Sequence, residues 1–109
     1  MDNDEFKRQM AAFSADYRAS LPGKMAEIDA LWGMMAGGAK QPEACGELLR
    51  KLHTLAGSAK TFGFPEVGTA ARAAENFLEP FCGDGAMPQA ADREAFGLLL
   101  ASVRQCAAG

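Results

Sequence analysis

The apolar residues of this chain recur every three or four positions, and in no segment do they alternate with a period of two. Phe6, Met10, Phe13 and Tyr17 show this spacing, which is typical of one face of an amphipathic helix. Few residues are β-branched, whereas alanine, leucine, methionine, glutamate and lysine are plentiful, and this balance also favours helix. We therefore predict an all-α fold without strands.

Prolines and glycines divide the helical pattern into segments. The boundaries fall at Gly37-Gly38, Pro42, Gly63, Pro65, Pro80 and Pro88. Pro22 interrupts the first segment, and we expect a break or kink there because proline removes a donor and clashes with the preceding turn. The prediction is an antiparallel, up-and-down four-helix bundle, with an extra N-terminal helix if Pro22 breaks the first.

Length and charge exclude several classes of protein. With 109 residues, the chain suits a single domain over residues 1–109 and is too short for a barrel enzyme or a doubly wound nucleotide-binding fold. A formal net charge of −3 argues against nucleic-acid binding, and no apolar run is long enough to span a membrane. A single histidine argues against a metal site, so we expect no metal ion and no other bound cofactor.

The three cysteines, Cys45, Cys82 and Cys106, are odd in number, widely spaced and free of any CxxC pair. This pattern favours free thiols over a disulfide framework or a zinc cluster, and a reducing cytoplasm over an oxidising compartment. We expect a monomer, although an exposed apolar stripe on the first helix would allow dimerisation.

The helix around the single histidine carries the most information. On a wheel of about 100° per residue, His53 lies off the apolar stripe. That stripe comprises Ala44, Cys45, Leu48, Leu52, Leu55, Ala59 and Phe62. The arc around His53 holds Gly46, Leu49, Arg50, Ala56, Gly57 and Lys60.

Gly46 and Gly57 lie inside this predicted helix, where each costs about 0.5–1 kcal/mol relative to alanine. We interpret the arc as a flat docking surface around an exposed imidazole. Arg50 and Lys60 place positive charge near His53, and no carboxylate partner is evident, which suits an anion such as a phosphoryl group. On wheel position alone, an ordinary surface histidine is the commoner case.

The string from His53 to Phe64 resembles the phosphoacceptor helix of histidine-containing phosphotransfer (HPt) domains. Those domains carry His-x-Leu-Lys-Gly-Ser-x-x-x-hydrophobic-Gly, followed by a helix that starts with Pro-Glu. The resemblance is densest over residues 47–79, and the helix order extends it to the whole chain. The matching positions are His53, Leu55, Gly57, Ser58, Phe62, Gly63 and Pro65-Glu66. One position departs, because the usual lysine three residues after the histidine is Ala56.

The resemblance implies a phosphoryl carrier rather than an enzyme. His53 would exchange a phosphoryl group with receiver-domain aspartates of response regulators, within a relay that starts at a hybrid histidine kinase. The receiver would supply Mg²⁺, and the chain itself carries no ATP-binding motif. The alternative is a helical adaptor that binds a receiver or a histidine kinase without carrying phosphate, which the missing lysine at Ala56 keeps open.

Further site residues follow from the wheel and the resemblance together. Lys60 is on the same face about 10.5 Å along the helix axis from His53, and we hypothesise that it replaces the missing lysine. Glu75 resembles a recurrent glutamate of the family, and we interpret it as solvated or paired with Arg72. The predicted docking face comprises Leu49, Arg50, Ala56, Gly57, Lys60 and Phe64, with Gly46 at its edge.

Overall fold

The computed structural model describes residues 3–35, 42–82 and 88–108. These ranges contain four α-helices, α1 (Asn3–Met35), α2 (Pro42–Thr61), α3 (Pro65–Leu78) and α4 (Ala90–Ala108), and a short 3₁₀ turn at Glu79–Phe81 follows α3. Within these ranges there is no strand. The predicted stop at Gly37-Gly38 and the middle of the loop before Pro88 lie outside the described residues.

The four helices form an antiparallel, up-and-down bundle around one apolar core, which confirms the predicted fold class. Along α2 the predicted stripe is buried, apart from Phe62, which is half-buried. Aromatic rings pack at both ends of the bundle. Tyr17 stacks on Phe62 at one end, and Trp32 packs on Phe96 at the other, with ring centroids 5.1 and 4.6 Å apart. No helix in the described ranges is long and apolar enough to cross a membrane.

Of the break or kink expected at Pro22, the break is wrong, because α1 continues through this residue. Pro22 is exposed, while Leu21 and Met25 beside it are buried in the core. Proline costs the helix one hydrogen bond, the one to the carbonyl of Arg18. Because apolar packing on both sides of Pro22 holds the two halves of α1 against the same neighbours, that local cost does not end the helix.

The first turns of α1 extend beyond the bundle. At about 1.5 Å per residue, the 33 residues of α1 reach about 50 Å, whereas the 20 residues of α2 reach about 30 Å. Helix α1 meets the end of α2 at Ser14, whose Oγ donates to the carbonyl of Phe62 at 2.7 Å. The apolar stripe before that point, Phe6, Met10 and Phe13, therefore stays exposed instead of joining the core.

A tight turn at Gly63 connects α2 to α3. Gly63 has φ +92°, a conformation that side chains other than glycine's rarely adopt. The Phe64 N–H donates to the carbonyl of Ala59 at 2.7 Å, and the Gly63 N–H donates to that of Lys60 at 3.3 Å. This pair of bonds is the Schellman motif that ends many helices. Pro65 then starts α3 at once, which makes α2 and α3 a tight antiparallel pair.

The prediction of three free thiols is wrong, because Cys45 and Cys82 form a disulfide. Helix α3 and the 3₁₀ turn return the chain to the start of α2, so two cysteines 37 residues apart come to a Cα–Cα distance of 5.6 Å. Spacing along the sequence did not reveal this approach. Only Cys106 is a free, half-buried cysteine among the described residues. The expectation of a reducing compartment rested on unpaired cysteines, and the disulfide removes that support.

We expect Pro22→Ala to raise the free energy of unfolding by about 2 kcal/mol. Alanine restores the hydrogen bond to Arg18 and removes a helix-interior cost of about 3 kcal/mol, less about 0.4–1 kcal/mol for the greater freedom of the unfolded chain. Urea denaturation measures the change. Pro65→Ala is the matched control, because proline at the start of α3 costs no hydrogen bond and its removal should give no gain. A less stable Pro22→Ala variant would contradict the prediction.

Candidate functional site

An exposed strip runs along α2 through the single histidine. Its members are spaced three or four residues apart and lie on one side of the helix: Gly46, Arg50, His53, Gly57 and Lys60. We call this strip the His53 face. The His53 side chain is 64% exposed, so its ring is open to a partner.

The two glycines of the His53 face are not required by the packing of this chain. A Cβ atom added at Gly46 or Gly57 would meet no atom within 4 Å. Because they have no side chains, both glycines keep this face of the helix flat around the imidazole, although each makes the helix less stable than alanine would. This observation fits the interpretation of a flat surface that another molecule approaches closely.

The prediction that Ala56 lies on the docking face is wrong. Its side chain is fully buried, at 0% exposure, because α3 packs over this part of α2. Gly68 of α3 comes so close that a Cβ there would lie 2.9 Å from the Ala56 carbonyl oxygen. A helical wheel of α2 alone contains no neighbouring helix, so it left Ala56 beside the exposed residues.

The two larger apolar residues assigned to the docking face are half-buried. Leu49 packs against the core, and Phe64 lies at the end of the bundle. The Phe64 ring stacks on Tyr17 at 5.8 Å between centroids, and the guanidinium of Arg18 lies 5.0 Å from the same ring. Phe64 is thus held within the fold and presents only part of its ring to solvent.

His53 has a carboxylate partner, contrary to the sequence analysis. Its Nδ1 lies 2.7 Å from Oε2 of Glu75 in α3. The Glu75 side chain is only 12% exposed, so it is not a solvated surface group as expected. The predicted pairing with Arg72 is present, since Arg72 Nη1 donates to the other carboxylate oxygen, Oε1, at 3.1 Å.

The hydrogen bond to Glu75 gives the two imidazole nitrogens of His53 separate roles. A carboxylate only accepts hydrogen bonds, so the short contact requires a hydrogen on Nδ1 of His53. In the neutral ring, Nε2 then keeps its lone pair and is the nucleophilic nitrogen. Glu75 thereby holds both the tautomer and the orientation of the ring.

A signal for this partnership was present in the sequence. His53 and Glu75 each lie eleven residues from Phe64, one before the turn and one after it. Residues equidistant from a tight turn between antiparallel helices face each other, so a carboxylate opposite the histidine follows once the turn at Gly63 is recognised. A helical wheel represents each helix alone and therefore does not show this pairing.

The Lys60 side chain packs on α3 at the level of Gly68. Its side-chain carbons pack against Gly68, where an added Cβ would lie 2.6 Å from Cγ and 3.2 Å from Cε. Gly68 is seven residues from Glu75 on α3, which is about 10.5 Å along the helix axis. A contact between Lys60 and a phosphoryl group on His53 therefore requires another side-chain conformation.

Helix α1 also borders the site, which the sequence analysis did not predict. An open groove between α1 and α2 shares Arg50 with the His53 face, and one ion pair crosses it, from Lys51 Nζ to Glu27 Oε2 at 3.1 Å. Three cations and one carboxylate line the groove together with uncharged residues. The charged residues are Lys24, Glu27, Arg50 and Lys51.

In the parts of the chain that the structure describes, no cluster of three or more His, Cys, Asp or Glu side chains is arranged to hold a metal ion.

Comparison with known families identifies the Hpt domain. Its family model matches residues 12–108, which is nearly the whole chain and includes α1 from residue 12 onward together with α2, α3 and α4. No curated protein and no solved structure matches the chain significantly. The matched range begins after the projecting first turns of α1 and contains His53, Arg72 and Glu75.

In neutral His53 we expect the tautomer with the proton on Nδ1 to be about tenfold more populated than the tautomer with the proton on Nε2. The charge-assisted hydrogen bond to Glu75 favours the Nδ1 form. Long-range ¹H–¹⁵N correlation spectra measure the two forms. Glu75→Ala should abolish the preference, whereas Glu75→Gln, whose amide oxygen still accepts a hydrogen bond, should keep part of it. Spectra in which wild type and Glu75→Ala have the same tautomer ratio would show that Glu75 does not hold the ring.

Proposed function

The chain belongs to the HPt domain family, and from this premise we propose that it carries a phosphoryl group on His53 to and from receiver-domain aspartates in a two-component phosphorelay. HPt domains are phosphocarriers in phosphorelays rather than kinases. The observation that carries the proposal for this chain is the bond between His53 Nδ1 and Glu75, which leaves Nε2 as an exposed nucleophile.

The transfer step needs little from this chain beyond a positioned nucleophile. The Nε2 lone pair of His53 attacks the phosphorus of the receiver's aspartyl phosphate, a P–N bond forms, and the P–O bond breaks. The electron pair of that bond leaves on the receiver's aspartate carboxylate. The transition state is loose, so positioning and charge neutralisation govern its rate. While phosphorylated, the ring keeps its proton on Nδ1 and donates it in a hydrogen bond to Glu75, whose negative charge offsets the positive charge of the ring.

The receiver would dock on the His53 face. Gly46 and Gly57 allow close approach, and Arg50 and Lys60 are exposed cations that attract the acidic phosphorylation site of a receiver. The groove between α1 and α2 adds Lys24 and Lys51 beside this face. The exposed parts of Leu49 and Phe64 provide apolar contact at its margins.

The remaining expectations belong to the same proposal. The receiver brings the Mg²⁺ that its phosphoryl chemistry requires, and this chain binds no cofactor and has no kinase or ATP-binding activity of its own. A hybrid histidine kinase supplies the first phosphoryl group from ATP, and the cytoplasmic location that we propose rests on this step and not on the cysteines. One monomer meets one receiver, since a single His53 face is present on each chain.

An adaptor that binds a receiver or kinase without accepting phosphate is the second candidate. The observation that favours it is Ala56, which occupies the position of the family's usual lysine and is buried. The adaptor reading leaves the ordered His53–Glu75 pair without a role, and for this reason we rank it second.

We expect a phosphorylated receiver to transfer label to the wild-type chain and not to His53→Ala. A panel of response-regulator receivers, phosphorylated with labelled phosphate, provides the donors. The label on the chain should be labile in acid and stable in alkali, as a phosphoramidate bond is. Binding of receivers without any transfer of label to wild type would establish the adaptor instead.

We expect Gly57→Arg to lower the transfer rate at least tenfold without unfolding the bundle. An arginine side chain beside His53 keeps the receiver from close approach, and small displacements of reacting groups are costly. Gly33→Arg is the matched control. Gly33 is also exposed and open, but it lies on α1 six residues past Glu27, on the side away from His53. Equal transfer rates in the two variants would mean that receivers dock elsewhere.

A further inference from the structure

The position three residues after His53, where the family has a lysine, supplies no cation to the phosphoryl site in this chain. Ala56 is uncharged and buried beneath α3, so no side chain of that position reaches solvent. A phosphoryl group on His53 carries up to two negative charges, and it would lie near the carboxylate of Glu75. The family's lysine is therefore missing here, and a different side chain must supply its positive charge.

Helix α3 places an arginine at the level of Ala56. The two helices are antiparallel about the turn, so His53 faces Glu75 and Lys60 faces Gly68. Arg72 and Ala56 each lie eight residues from Phe64 and are therefore at about the same level along the two helices. Arg72 thus lies on the neighbouring helix, at the level of the position where the family's lysine would be.

Arg72 is joined to the imidazole through a single carboxylate. Its Nη1 donates to Oε1 of Glu75 at 3.1 Å, while Oε2 accepts from His53 at 2.7 Å. The Arg72 side chain is 44% exposed, and this is its only hydrogen bond within the described residues. A guanidinium has five N–H donors, so most of its capacity is unused.

We propose that Arg72 binds the phosphoryl group on His53 and supplies the positive charge that Ala56 lacks. In the unphosphorylated chain, Arg72 neutralises Glu75 and so reduces the repulsion between this carboxylate and an incoming phosphoryl group. When Nε2 forms its bond to phosphorus, the free N–H groups of Arg72 donate to the phosphoryl oxygens. Planar, paired donors are well matched to a phosphoryl group.

Lys60 is less well placed for this role. Its stem packs on Gly68, about one helical turn farther from Glu75 than Arg72 is. Arg72 already bonds the carboxylate that contacts the ring. It needs only to donate further N–H groups to the phosphoryl oxygens, or to exchange its bond to Glu75 for a bond to them. The inference rests on the proposed function of His53, and its test is designed so that the two can fail separately.

The experiment phosphorylates the full chain with phosphoramidate, which needs no receiver. His53 Nε2 displaces ammonia from phosphorus, so a P–N bond to the ring replaces the P–N bond of the donor, and the ammonia leaves with a proton from solvent. We expect Arg72→Ala and Arg72→Gln to lower the initial rate about tenfold, the loss of one charge-assisted contact. Arg72→Lys should stay within about threefold of wild type, and the loss in Lys60→Ala should be smaller than the loss in Arg72→Ala.

Arg72→Gln separates charge from positioning. Glutamine still donates a hydrogen bond to Glu75, so the tautomer of His53 in nitrogen-15 spectra should not change while the rate falls. A rate for Arg72→Gln equal to that of wild type would overturn the inference and leave Arg72 as a support for Glu75. A loss in Lys60→Ala that exceeds the loss in Arg72→Ala would assign the role to Lys60.

The proposed function is tested separately, by measuring the transfer of label from phosphorylated receivers to the chain. Normal receiver transfer with no effect of Arg72→Gln in either assay means that only the inference fails. A clear effect of Arg72→Gln on phosphoramidate labelling, without transfer from any receiver, means that only the proposed function fails. If phosphoramidate does not label His53 in wild type, Arg72 provides no working phosphoryl site and the inference is wrong.

Discussion

The close approach of α3 to α2 at Gly68 determines most of what surrounds the single histidine. A side chain at Gly68 would press on the backbone of Ala56, so only glycine lets the two helices pack at this distance. Close packing in a fixed antiparallel register brings Glu75 within hydrogen-bond distance of His53. The same contact buries Ala56 and carries the stem of Lys60 across α3. The chemical character of the site is thus set by the neighbour of α2 as much as by α2 itself.

The site combines a rigid half and an open half. On the α3 side, Glu75 is largely buried and bonded to two partners, so it holds the imidazole in one orientation. On the other side, Arg50 and the exposed glycines leave the ring accessible from solvent. A carrier needs both properties, because the nucleophile must be oriented before the partner arrives and the partner must reach it directly.

The fold was largely predictable from the sequence, and the errors of the prediction have identifiable causes. The helix boundaries at Pro42, Gly63 and Pro65 follow from local backbone chemistry, and the structure confirms them within a residue or two. Pro22 misled because packing on both sides of it outweighs a local cost. The disulfide between Cys45 and Cys82 escaped prediction because it depends on where the chain returns after α3, which spacing along the sequence does not encode.

By itself, the sequence determined that the chain is helical, where α2 and α3 begin and end, that His53 lies off the core, and the family resemblance of the residues around it. These features depend on local periodicity, on proline and glycine, and on a motif within one helix. Only the tertiary structure decided which side chains share the site. Glu75 and Arg72 come from a second helix, and Ala56 leaves the surface, because register and helix-to-helix distance are properties of a pair of elements and not of either one.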